Sequence, residues 1–178
     1  TVAESQEQKL SDIPSMKIFR YGFADPIKFM CEAYAGWDKQ KDERGRKLLQ
    51  QQGKIYRDYD ADIWAKHFLN QMDRKSGQLP FNFAIVHDWR FPNEYSYLLG
   101  NPMVEVVTIR VFGRGGLQGE VAQDVSENSL PEAEFESLKK ETAQPYYDYV
   151  INNNAGIEEL GEKIDTILAQ IEKQYVIE

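Results

Sequence analysis

The sequence has 178 residues, with 21 Lys or Arg against 29 Asp or Glu, a net charge of −8 and a pI near 4.9. That length fits one domain, large enough to bury a core without disulfide or metal staples. The acidic balance excludes a general duplex-binding surface, and one cysteine with two histidines leaves little room for a disulfide framework or a zinc site.

No stretch approaches the ~20 apolar residues of a membrane span. The opening TVAESQEQKL has neither the basic start nor the apolar core of a signal peptide. The expectation is a cytoplasmic protein that binds neither membrane nor nucleic acid. Residues 17–23 (KIFRYGF) are β-branched and aromatic and predict a first strand. Asp25-Pro26 follows as a helix start, and Ile27, Met30, Cys31 and Tyr34 then fall at helical spacing until Gly36. Leu48 and Leu49 predict a short second helix that stops at Gly53. Asp62 is placed to cap a third, with Ile63, Trp64, His67, Phe68 and Met72 on one side.

Residues 83–87 (FAIVH) form a short apolar run before Asp88, the pattern of a buried parallel strand. Residues 104–112 (VEVVTIRVF) predict a third strand, broken by a glycine-rich stretch at 113–119. Residues 149–151 predict a fourth strand, ahead of Asn152, Asn153 and Asn154. A final helix carries Ile157, Leu160, Ile164, Ile167, Leu168 and Ile171 on one stripe, with Glu158 and Glu159 in its first turn. Strands alternating with helices predict an α/β fold: a three-layer parallel sheet with helices on both faces. Neither a repeat nor a linker interrupts residues 1–178, which read as a single domain.

Open parallel sheets bind ligands beyond the carboxyl ends of their strands. That rule points to Asp25, to residues 88–94 (DWRFPNE), to Arg110 and Arg114, and to residues 152–154. Asp88 can orient a phosphate acceptor or a metal-bound water, with Arg90 supplying a planar fork for phosphate. Equally, Asp88 can cap backbone amides in a turn while Arg90 pairs with it or with Glu94. Arg44, Arg46, Lys47, Lys54 and Arg57 make a basic cluster, which is either a solvated helix face or a mouth for an anionic substrate. Arg110 and Arg114 border the glycine-rich stretch, where a closing lid can bring cations to a transferred phosphoryl group. His67 reads as a packed histidine, His87 has no nucleophile in register, Trp64 either stacks on a base or belongs to the core, and Cys31 reads as a small buried hydrophobe.

FADPIK (23–28), RKLLQQQG (46–53), DADIW (60–64), IVHDWRFPNE (85–94), SENSL (126–130) and VINNNAGIEEL (150–160) occur in an order that resembles the deoxynucleoside monophosphate kinases of phage type. The resemblance runs from about residue 23 to 168. It implies a P-loop kinase fold, with a monophosphate-binding helical lobe around 38–80 and a lid-like loop around 110–130. It also implies transfer of the γ-phosphoryl group of ATP, with Mg²⁺, to a (deoxy)nucleoside monophosphate, by a protein that can form a homodimer. On that likeness Asp25, Arg46, Gln50, Arg57 and Trp64 line the monophosphate, Asp88 and Arg90 sit at the reaction centre, Arg110 and Arg114 flank the lid, and Asn153 lies near adenine. The family's G-x-x-x-x-G-K-[ST] loop is absent, while TVAE is how the helix after such a loop reads. The expectation is therefore a sequence that starts just past the loop; the rival is a loop-less relative that binds nucleotide without catalysis. The glycine of AGI (155–157) also stands one position later than in the family. A kinase of another phosphorylated small molecule, such as dephospho-coenzyme A, remains the alternative among enzymes.

Overall fold

The computed structural model describes residues 17–77, 81, 83–113, 147–154 and 156–175. In chain order these form β1 (Ile18–Tyr21), α1 (Asp25–Ala35), α2 (Glu43–Tyr59), α3 (Ile63–Ser76), β2 (Phe83–Val86), α4 (Pro92–Leu99), β3 (Ile109–Gly113), β4 (Tyr149–Asn153) and α5 (Ile157–Tyr175). The class is mixed α/β. The described residues fall into two compact units, one drawn from Pro14–Trp89 and Asn93–Gly100, the other from Arg90–Pro92 and Asn101–Glu178.

In the first unit β1 and β2 pair in parallel, with Ile18 opposite Phe83 and Tyr21 opposite Val86. Side chains alternate along a strand, so Phe19, Tyr21 and Phe23 point the same way. All three meet Phe68 of α3, at ring-centroid distances of 6.4, 5.1 and 6.1 Å. This aromatic cluster, with Trp64 and Ala65, is the core that fixes α3 against the sheet. Helix α1 buries Ile27 and Cys31 and ends at Gly36, whose φ of 64° is the left-handed conformation glycine adopts without penalty.

Helix α2 departs from the expected short helix. It runs 17 residues straight through Gly53, started by Asp42, whose side chain accepts from the Gly45 amide at 2.7 Å. Gly53 is buried, and a Cβ there would lie 3.1 Å from Ile27 Cδ1. The glycine serves a close approach of α1 and α2 instead of ending the helix. Asp62 precedes α3 as expected but makes no side-chain cap; it accepts from Asn93 Nδ2 at 3.0 Å. Asp60 takes over locally, accepting from the Asp62 amide at 3.1 Å and from Lys66 Nζ at 2.7 Å.

In the second unit β3 and β4 pair in parallel, Ile109 opposite Tyr149 and Gly113 opposite Asn153. The third strand is shorter than the expected 104–112. Thr108 and Asp148 lock together just before it: the Thr108 amide and hydroxyl donate to Asp148 Oδ2 at 2.8 and 3.0 Å, and the Asp148 amide donates to Thr108 Oγ1 at 2.9 Å. The Asp148 and Tyr149 amides also donate to the Thr108 carbonyl at 3.1 and 3.0 Å. Leu160, Ile164, Ile167, Leu168 and Ile171 of α5 bury the expected stripe with Val150 and Ile151, but Ile157 is 80% exposed and lies off it.

The expected three-layer sheet is not what the described residues form. They make two separate two-stranded sheets. Each residue of β2 is only half-buried, unlike the interior strand of a doubly covered parallel sheet. No described helix is long and apolar enough to cross a membrane.

Candidate functional site

The carboxyl ends of β1 and β2 open into two loops that are stitched together. Gly22 and Asp25 close a tight turn: the Asp25 amide donates to the Gly22 carbonyl at 3.0 Å, and the Gly22 amide donates to Asp25 Oδ2 at 2.9 Å. Lys28 Nζ reaches back one helical turn to Asp25 Oδ1 at 2.7 Å. From the other loop, Asp88 accepts the Phe23 amide on Oδ1 at 2.7 Å and the Ala24 amide on Oδ2 at 3.0 Å. His87 donates from Nδ1 to the Tyr21 carbonyl at 2.8 Å.

Asp88 therefore makes the amide caps that one of its two expected roles describes. Both carboxylate oxygens hold backbone amides at the start of α1, where a negative charge is also favoured by the helix dipole. Residues 23–25 and 87–88 lie far apart in sequence, and parallel pairing of β1 with β2 is what joins them. Gly22 is buried at the junction, and a Cβ there would come within 2.9 Å of both Asp25 carboxylate oxygens and of His87 Cε1. Asp25 and His87 thus converge over a residue that has no side chain to separate them.

A second arrangement lies beneath this surface. The Tyr21 hydroxyl bonds His67 Nδ1 at 2.5 Å, and Gln71 contacts the other ring nitrogen at 3.4 Å. Burial, with the Asp25 and Asp88 charges added, raises the Tyr21 phenol far above its usual range, so it stays a proton donor. Burial likewise lowers the His67 imidazole below its ordinary value, with Arg74 adding to the effect. A neutral His67 accepting from Tyr21 is the packed histidine that the sequence suggests.

The remaining candidate residues are spread over both units. Arg46 of α2 is exposed and donates from Nε to the Lys41 carbonyl at 2.8 Å. Gln50 is half-buried on the same helix, and Arg57 folds its guanidinium beside Gly53. Trp64 is 4% exposed, its ring edge-on to Tyr56 at 5.5 Å, and its buried Nε1 has no acceptor. Helix and strand order bring Asp25, Asp88, Arg46, Gln50, Arg57 and Trp64 into one unit. Arg90 belongs to the other, where Arg110 of β3 lies over the Tyr147 ring at 5.9 Å. Asn153 ends β4, and its side-chain oxygen, like that of Asn152, is buried without a donor. Arg114, and all of the lid-like loop beyond residue 113, lie outside the described residues.

Sequence reasoning passed over His87 because it seemed to belong to the strand. The strand stops at Val86, and His87 turns back over Gly22. The glycine directly after an aromatic strand was the signal available. Helix α4 was also missed, although Pro92 at its first position announces a helix start. Among the described residues no group of three or more His, Cys, Asp or Glu side chains is arranged to hold a metal ion. Comparison with known proteins finds no matching family model, no matching curated protein and no matching solved structure.

Proposed function

We propose that this protein is a nucleotide kinase that moves the γ-phosphoryl group of ATP onto a (deoxy)nucleoside monophosphate, on a P-loop kinase type of α/β architecture. The observation that carries the reading is the meeting of FADPIK and HDWRFPNE at the carboxyl ends of two parallel strands, where such sheets take their ligands. Two buried polar groups lacking partners support it, since each is short of one hydrogen bond that a nucleobase can supply. Trp64 Nε1 calls for an acceptor, and Asn153 Oδ1 calls for a donor such as the adenine amino group.

In this reaction an oxygen of the acceptor phosphate bonds to the γ-phosphorus, the bond to the β–γ bridging oxygen breaks, and ADP leaves. The protein's part is positioning and charge neutralisation. Arg46 and Arg57 hold the monophosphate, Asp25 and Gln50 border it, and Trp64 stacks on or hydrogen-bonds the base. Arg90, Arg110 and Arg114 offset the charge on the transferred group. Asp88 fixes the turn that carries Asp25 through one amide on each oxygen, and the remaining lone pairs leave it able to orient the acceptor. Mg²⁺ would enter as the counter-ion of ATP.

The sequence contains no G-x-x-x-x-G-K-[ST] loop, so turnover is expected only of a protein that carries one. The second reading is a nucleotide-binding module without catalysis. Calorimetric titration with ATP and a panel of monophosphates, followed by a phosphotransfer assay, separates the two. Arg46→Ala and Arg57→Ala should weaken monophosphate binding roughly tenfold or more while ATP binding changes less, the loss expected for a charge-assisted hydrogen bond. Binding of neither nucleotide class would overturn both readings.

A further inference from the structure

His87 uses one ring nitrogen structurally and leaves the other unassigned. Its Nδ1 donates to the Tyr21 carbonyl at 2.8 Å, which fixes both ring orientation and tautomer. In the neutral ring the lone pair is then on Nε2, and the residue is exposed. A histidine needed only to stitch two strand ends would have no use for a second nitrogen held in a fixed direction.

The neighbours of His87 are already matched among themselves. From α1, Asp25 is paired with Lys28 and with the Gly22 amide. From its own loop, Asp88 accepts from two amides at the start of that helix. From β1, Tyr21 offers its carbonyl here while its hydroxyl is turned to His67. His87 follows β2 directly and is exposed, and its Nε2 is the ring nitrogen that the Tyr21 bond does not use.

We propose that His87 contacts the phosphate of the acceptor nucleotide through Nε2, making this residue a determinant for phosphate monoesters. The inference rests on the nucleotide monophosphate reading above. The chemistry favours a monoester over other anions. A monoester in its singly protonated form keeps a P–OH that can donate to the Nε2 lone pair of a neutral ring. With that proton on either partner, the same O···N hydrogen bond forms. A phosphodiester, which has no second proton to share, makes the bond only with an imidazolium.

The test uses ring ¹⁵N and indole N–H spectra of the full chain at fixed pH, with added deoxynucleoside monophosphate or the parent nucleoside. The monophosphate should move the His87 ring resonances, and the nucleoside should leave them in place. His87→Asn places an amide N–H where Nδ1 stands, preserving the bond to Tyr21, but has nothing at Nε2. It should weaken monophosphate binding about tenfold with little change in thermal midpoint, and His87→Gln, whose amide reaches the Nε2 position, should recover part of that affinity. A monophosphate that moves the Trp64 indole signal but leaves His87 unmoved overturns this inference alone. Equal movement by the nucleoside, or wild-type affinity in His87→Asn, does the same. If no ligand moves any signal, the nucleotide reading falls and this inference with it. Should His87→Asn fail to fold, the spectra of the unmodified protein decide the matter.

Discussion

Asp88, a reaction-centre candidate in the sequence, also has an architectural part in the structure. Its two oxygens accept from the Phe23 and Ala24 amides, so removal leaves two partly buried donors facing a gap. Asp88→Ala should cost about 2–4 kcal/mol, read from urea unfolding, because each orphaned amide carries its own desolvation penalty. Asp88→Asn should fall between the two, since its amide group keeps one acceptor and turns a donor towards the other N–H. If both variants unfold at the wild-type midpoint, the paired bonds contribute nothing and a purely chemical role for Asp88 regains ground. Trp64 illustrates the converse. Its aromatic mass suits the core, while the unpaired Nε1 is a cost that a core residue would ordinarily avoid.

At the scale of elements, sequence signals were most legible where one local force decides the outcome. Gly36 ended α1, the α5 stripe is buried from Leu160 to Ile171 though not at Ile157, and both strand pairs are parallel. The failures involve competition between local preference and tertiary packing. Gly53 reads as a helix stop, yet α2 passes through it because Ile27 of α1 needs the space. The third strand begins at Ile109, just past the side-chain bonds between Thr108 and Asp148. At the site, the residue types of FADPIK and HDWRFPNE were evident, but which oxygen meets which amide depends on strand register, which no local pattern encodes. Gly53→Leu tests this view of α2. Leucine is the better helix former, so an isolated helix would gain, but the α1–α2 contact should lose about 1–3 kcal/mol through overpacking. A raised thermal midpoint would mean that the two helices are not held together at Gly53.

Over the whole molecule, stability should depend on pH through His67. Burial keeps its imidazole below the ordinary value of 6.5 in the folded protein. Below about pH 6.5 the unfolded chain takes up a proton that the folded chain resists, so unfolding is favoured as the pH falls towards the folded value. At pH 7.5 both states hold a neutral ring, and the contribution is flat. Urea midpoints should therefore drop between pH 7 and 5.5, and His67→Gln should show a shallower drop over that interval. An identical slope in the variant would place the proton uptake elsewhere. The net charge of −8 adds a separate trend, because self-repulsion weakens as carboxylates protonate at lower pH.

The bond from Asp88 to the Phe23 amide spans 65 positions of sequence. Closing so long a loop costs the unfolded chain on the order of 4 kcal/mol in entropy, whereas each intervening helix is built from contacts a few residues apart. The helices can thus form early, and the strand-end junction is completed only when the two distant segments finally meet. A ligand that engages this junction would recognise the finished fold and no intermediate before it. Binding would then slow unfolding far more than it speeds folding, so that exposure to substrate protects molecules already folded.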